Sequence, residues 1–240
     1  MSNLILIGTC HHDTKGPERL ERLLNACRPS VICLEATPLL ATAAMHLHRK
    51  MMGKLETLSQ VPLLSVMDRE IVRKQARAVC YEIWVPKVYK QRHPATKLYY
   101  IEQEEAIQKL VSMEEKKHEK KEKVSSSSPS LADIHRLMNS VSSHHKESIS
   151  ITESLYDIEE VQSMNATHGD EFYKTCIVQR DAYFAQQLRK IYEPEQQGNV
   201  VAILGNLHFY AKGGKNTYDL LLELHPTRIK LKEADQPPYV

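Results

Sequence analysis

The 240-residue chain has no apolar stretch of membrane-spanning length, and its opening Met-Ser-Asn puts no basic segment ahead of the four-residue apolar run that follows. A spanning anchor and a secretory signal are therefore not expected. The cytosol is the expected compartment, with peripheral contact at an organelle surface as the other placement. The five cysteines (Cys10, Cys27, Cys33, Cys80 and Cys176) are odd in number and include no Cys-x-x-Cys pair. That argues against a disulfide framework and for thiols in a reducing environment. An excess of one charge is also missing: 32 Lys and Arg against 30 Asp and Glu leave a formal +2, too even for nucleic acid as a partner. No internal repeat is evident either.

What is present is a series of short apolar runs separated by helical patterns. Leu4–Ile7 stops at Gly8 and reads as a buried strand. Gly16-Pro17-Glu18 starts a helix that carries Leu20, Leu23, Leu24 and Cys27 on one face and is stopped by Arg28-Pro29. Val31–Leu34 then forms a second strand, so the opening is a βαβ unit with parallel strands, and both strand ends leave the sheet at one edge. Thr37-Pro38 begins a second helix, ending near Gly53, with Leu40, Ala43, Ala44, Leu47 and Met51 as its buried stripe. Leu63–Met67 reads as a third strand, followed by Asp68-Arg69 and a helix bearing Arg69, Arg73 and Arg77 at i, i+4 and i+8.

The middle of the chain is less regular. From Trp84 to about Leu110 the pattern reads as mixed helix and loop, and 114–130, a Glu/Lys run followed by a Ser/Pro stretch, reads as a disordered loop. Helical spacing resumes around Leu131 and after Ser150. These features define one α/β domain over 1–240 with a mostly parallel sheet and a helical insertion over 84–165. A strong helix follows over 170–192, with Asp181 on its apolar face, where a carboxylate needs a partner. Val200–Leu204 is a further buried strand, 217–224 a short helix, Arg228–Leu231 an edge strand, and the remainder a loose tail.

The chemistry gathers at strand ends. Gly8-Thr9-Cys10-His11 and Gly205-Asn206-Leu207-His208 repeat one pattern: a strand, a glycine, two residues and a histidine. Ligands bind beyond the carboxyl ends of strands in open α/β sheets. Two imidazoles with Glu35, and with Asp13 nearby, make a reasonable ligand set for a Zn- or Mn-type ion with open positions. Cys10 beside His11 reads as a buried thiol rather than a nucleophile. His46, His48, His144 and His145 read as solvated.

From LILIGTCHHD through VICLEATP, MDREIVRKQAR and VQRDAYFAQQL to VVAILGNLHFYAKG, the chain resembles the TraB family, which includes Tiki-type proteases and pheromone-shutdown proteins. The resemblance covers both ends of the chain and not its middle. It maps the family's Gly-x-x-His motifs onto Gly8/His11 and Gly205/His208, and its acidic residue onto Glu35. Its Asp-Arg and later Arg map onto Asp68, Arg69 and Arg77, and its Arg-Asp pair onto Arg180 and Asp181. Leu40, Gln179 and Ala211 depart from the family pattern. The resemblance implies a metal-dependent hydrolase, in its Tiki branch a peptidase, with a divalent ion (Mn, Co or Zn) held by His11 and His208. Glu35 would be ligand or general base, and Arg69 or Arg77 would stabilise developing negative charge. The alternative it equally implies is a non-catalytic regulatory or organelle-contact protein that binds a peptide or protein partner.

Overall fold

The computed structural model describes residues 2–11, 13–59, 65–105, 107–108, 152–157, 178–195, 197–211 and 215–236. The proposed loop 114–130, most of the 84–165 insertion, Cys176, His144 and His145 lie outside them.

Five strands form one sheet among these residues: β1 (Leu4–Thr9), β2 (Pro29–Leu34), β3 (Lys97–Tyr100), β4 (Asn199–Gly205) and β5 (Thr227–Lys230), in the order β3-β2-β4-β1-β5. Every pairing is parallel, so the sheet is of the α/β type, with helices covering its faces. α1 (Gly16–Cys27) joins β1 to β2, and β4 lies between these two strands. The unbroken apolar runs of β1, β2 and β4 follow from this: their residues meet a helix layer on either face. Ile5, Ile7, Ile32, Val201 and Ile203 pack with Leu20, Leu23 and Leu24 of α1 and with Tyr81 and Ile83 of α4 (Tyr81–Arg92). Leu4, Leu6, Val31, Val200 and Ala202 pack with Phe184, Ala185 and Leu188 of α5 (Gln179–Tyr192).

The sheet edge that carries the site is set by register. Thr9 stands beside Gly205, and Leu34 stands beside both Ile203 and Tyr100. The ends of four strands are thereby level, and the first residues beyond them share one rim. Gly8 allows the tightest approach there: a Cβ on it would lie 2.8 Å from Asn206 Oδ1. Gly205 is under no such constraint, since the nearest atoms to its Cβ position are 3.6 Å away.

Several local expectations are revised. α2 (Pro38–Ser59) runs through Gly53, whose Cβ position has open space around it. The buried face of α2 carries Ala41 and Ala44, while Leu47 is 44% exposed. Val66 and Met67 open α3 (Val66–Ala78) instead of closing a strand, and both are exposed. The irregular stretch after Trp84 contains β3, an edge strand whose side chains are only partly covered on either face. The tail is anchored: Leu231 and Ala234 are buried, and Arg19 of α1 binds Asp235. Arg19, 1% exposed, also donates to Asp13 and Glu153, and Tyr156 donates to the same Asp13 carboxylate. Asp13 is thus committed to this buried cluster, away from the ligand role considered for it. No helix among the described residues is long and apolar enough to cross a membrane.

Candidate functional site

His208 follows β4 on α6 (Leu207–Tyr210), a single turn. Its ring is buried, edge-on to Phe184 of α5 with centroids 5.0 Å apart. Nδ1 lies 2.8 Å from Asp181 Oδ1, and an ionised carboxylate only accepts, so Nδ1 carries the proton. Asp181, 2% exposed, also accepts from Thr217 Oγ1 at 2.6 Å. The carboxylate on the apolar face of α5 thus has its partners, a histidine and a threonine.

The other ring nitrogen, Nε2, faces Glu35 Oε1 at 3.6 Å. Glu35 is the first residue beyond β2, and its Oε2 accepts the Gly205 backbone N–H at 2.6 Å. The Arg180 guanidinium bridges Glu35 Oε1 and Glu102 Oε2. Burial works against a charge on Glu35, yet Arg180 and His208 outweigh it and hold the carboxyl well below the usual carboxylate range. For His208, burial opposes protonation, but Glu35 and Asp181 prevail and push its pKa up to about 9.

His11 lies beyond β1 with its side chain 70% exposed, and its Nδ1 meets Glu82 Oε1 of α4 at 2.8 Å. Glu82 draws the imidazole pKa upward, to about 9. His11, Glu35 and Glu82 line one cavity of about 240 Å³ together with Thr9, Gly205 and Cys80 and the apolar residues Leu34, Leu40, Ala44, Ile83, Ile203 and Leu204. The two histidines sit on opposite sides of nearly the whole sequence, and the level strand ends bring both to Glu35: His208 by contact, His11 by lining the same cavity.

The arginine at this rim is Arg180. Arg77 pairs instead with Glu18 of α1 at 2.8 Å, and neither it nor Arg69 lines the cavity. Asp68 belongs to α3, and its side chain lies outside the described residues. Cys10 is buried, and its thiol is pushed up to about 12 by burial and by Asp13, which suits a structural thiol. His48 stacks on Trp84 at 4.7 Å between ring centroids and is half-buried rather than solvated.

Sequence reasoning missed Glu82, Glu102 and Thr217. Glu102 had a signal available, an acidic residue two positions beyond β3 where Glu35 stands one beyond β2, but β3 lies in the stretch whose sequence pattern is mixed helix and loop.

The donor set bears on the divalent ion implied by the resemblance. Each imidazole has Nδ1 against a carboxylate, the outer-sphere arrangement that leaves Nε2 to ligate. Two atoms bound at 2.0–2.2 Å to a tetrahedral ion stand about 3.4 Å apart, close to the 3.6 Å between His208 Nε2 and Glu35 Oε1. Among the described residues no three His, Cys, Asp or Glu side chains are grouped to hold an ion as they stand. His11, largely exposed, is the donor that must leave its position, and Arg180 must yield Oε1 while Glu102 retains it. The donor types therefore suit a Zn-, Mn- or Co-type ion, while the positions of the described donors do not form a complete site as they stand.

No family model, no curated protein and no solved structure matches this chain.

Proposed function

We propose that this cleft is the active site of a hydrolase acting on peptides and dependent on a divalent ion, in keeping with the resemblance to the TraB family. The observation that carries the reading is the pair of carboxylate-oriented histidines set about Glu35, His208–Asp181 buried beside it and His11–Glu82 lining the open cavity with it. His208, His11 and Glu35 would hold the ion, which when bound supplies Lewis-acid polarisation of a carbonyl.

The lowered pKa of Glu35 favours the ligand role over the general-base role. A carboxylate held so strongly in its ionised form is a weak proton acceptor near neutral pH and a good anionic ligand. Asp181 and Thr217 fix the His208 ring, so its Nε2 keeps one orientation. Arg180, not Arg69 or Arg77, is the arginine paired with Glu35, and it balances the charge of that carboxylate.

The test is hydrolysis of a mixed peptide library, followed by mass spectrometry, with Zn, Mn or Co added in turn. The wild-type chain is expected to cleave with at least one ion, while Glu35→Gln loses at least a hundredfold in rate and keeps its fold. Peptide binding with no cleavage under any ion would favour the non-catalytic partner-binding reading, and Glu35→Gln cleaving at the wild-type rate would remove the site from the chemistry.

A further inference from the structure

The apolar wall of the cavity, whose whole volume includes the polar side, plays no part in the chemistry above. Leu40 and Ala44 of α2, Ile83 of α4 and the strand-end residues Leu34 and Ile203 form this wall beside Glu35, Glu82 and His11. The cavity's volume of about 240 Å³ exceeds the roughly 150 Å³ of an apolar cavity that takes up benzene. It falls short of the roughly 300 Å³ at which pockets for drug-sized ligands begin. The space suits one large apolar side chain.

Charge narrows the occupant further. Among the described lining residues there are two carboxylates and no lysine or arginine, and the one cation, the His11 imidazolium, is already paired with Glu82. Arg180 reaches Glu35 but is spent between it and Glu102. An acidic or phosphorylated group entering here would lose its hydration and meet like charge. An uncharged apolar group loses no hydrogen bonds on entry and gains in proportion to the area it buries.

We infer that this cavity is the side-chain pocket of the site, taking one apolar residue of leucine to phenylalanine size from a peptide, with Ala44 and Leu40 setting its depth. This rests on the hydrolytic reading for the presence of a peptide in the cleft. The selectivity itself comes from the wall. Ala44 is the sharpest determinant, because it is a buried helix position with the smallest side chain in the apolar wall. One methylene in such a pocket discriminates by about 10–200-fold.

The test measures binding without turnover. Blocked tetrapeptides of the form Ala-Ala-Xaa-Ala, with Xaa as Leu, Phe, Ala or Asp, are titrated into the full chain under chelator and followed by NMR. The leucine and phenylalanine peptides are expected to bind at least tenfold tighter than the aspartate peptide. Ala44→Leu, which fills the pocket, should lose at least tenfold for the leucine peptide and leave the alanine peptide unchanged. Leu40→Ala, which enlarges the pocket, should shift preference from leucine towards phenylalanine, and it carries the test if Ala44→Leu does not fold. Equal affinities across the four peptides, or a folded variant with wild-type preferences, would overturn the inference. Selection for the leucine peptide in a chain that hydrolyses nothing would sink the hydrolytic reading and leave the pocket standing. Cleavage indifferent to Xaa would do the reverse.

Discussion

At the scale of single residues, the site is governed by how each buried charge is matched. Asp181 answers His208, Arg180 answers both Glu35 and Glu102, and Glu82 answers His11. The consequence for stability has a definite sign on each side of neutrality. His208 and His11 both have folded pKa values raised to about 9, so their contributions are complete below the unfolded value of about 6.5 and are lost as pH rises through 9, with the exposed His11 contributing the smaller share. Glu35 has a lowered folded pKa, so its contribution is complete above about 4.3 and is lost as the medium is acidified below that. With chelator present, the melting temperature should therefore be highest between about pH 4.5 and 6.5 and fall measurably by pH 9. Asp181→Asn should flatten the alkaline fall, because the carboxylate that helps to raise His208 is gone. An alkaline limb unchanged in that variant would show that His208 is not the group responsible.

At the scale of elements, two glycines in helices show where local propensity rules and where packing does. Gly53, inside α2, has nothing within 4 Å of its Cβ position, so Gly53→Ala should stabilise by about 0.5–1 kcal/mol through helix propensity alone. Gly16 opens α1, but a Cβ there would lie 2.5 Å from the Tyr81 ring. Overpacking of about 1–3 kcal/mol exceeds the propensity gain, and Gly16→Ala should destabilise. Urea denaturation of both variants checks the signs: stabilisation by Gly16→Ala would mean that the α1–α4 contact gives way easily, and destabilisation by Gly53→Ala would contradict the propensity argument. The same contrast explains what could be read from the sequence. β1, β2 and β4 are legible because burial on both faces demands continuous apolar runs. β3, with Lys97 and Tyr99 exposed and only four residues, carries no such signature. Val66 and Met67 look like strand residues because β-branching and hydrophobicity suggest burial, yet both are exposed on α3. The strand-end histidines and Glu35 were visible as a repeated pattern. The partners of those residues were not, because Glu82, Glu102 and Thr217 are brought in by packing across long sequence separations that no local period encodes.

At the scale of the whole molecule, the parallel sheet places the ends of β1, β2, β3 and β4 at one level. Residues from the first and last fifths of the chain thereby meet, and α4 and α5 close the rim with Glu82 and Arg180. Around the cleft, Glu35, Glu82, Glu102 and Asp181 carry four negative charges when ionised, and Arg180 with two protonated histidines supplies three positive ones. Exchange of the two histidine protons for one divalent ion leaves that balance unchanged, which makes ion binding here a proton-release reaction. Isothermal titration calorimetry of Zn or Mn into the chelator-treated full chain at pH 7, repeated in buffers of different ionisation enthalpy, tests this most directly. The account predicts one ion per chain with about two protons released, and at least tenfold weaker binding by His11→Ala and by His208→Asn, whose amide can still donate to Asp181. Stoichiometric binding unaffected by either substitution, or no binding by a folded wild-type chain, would contradict it.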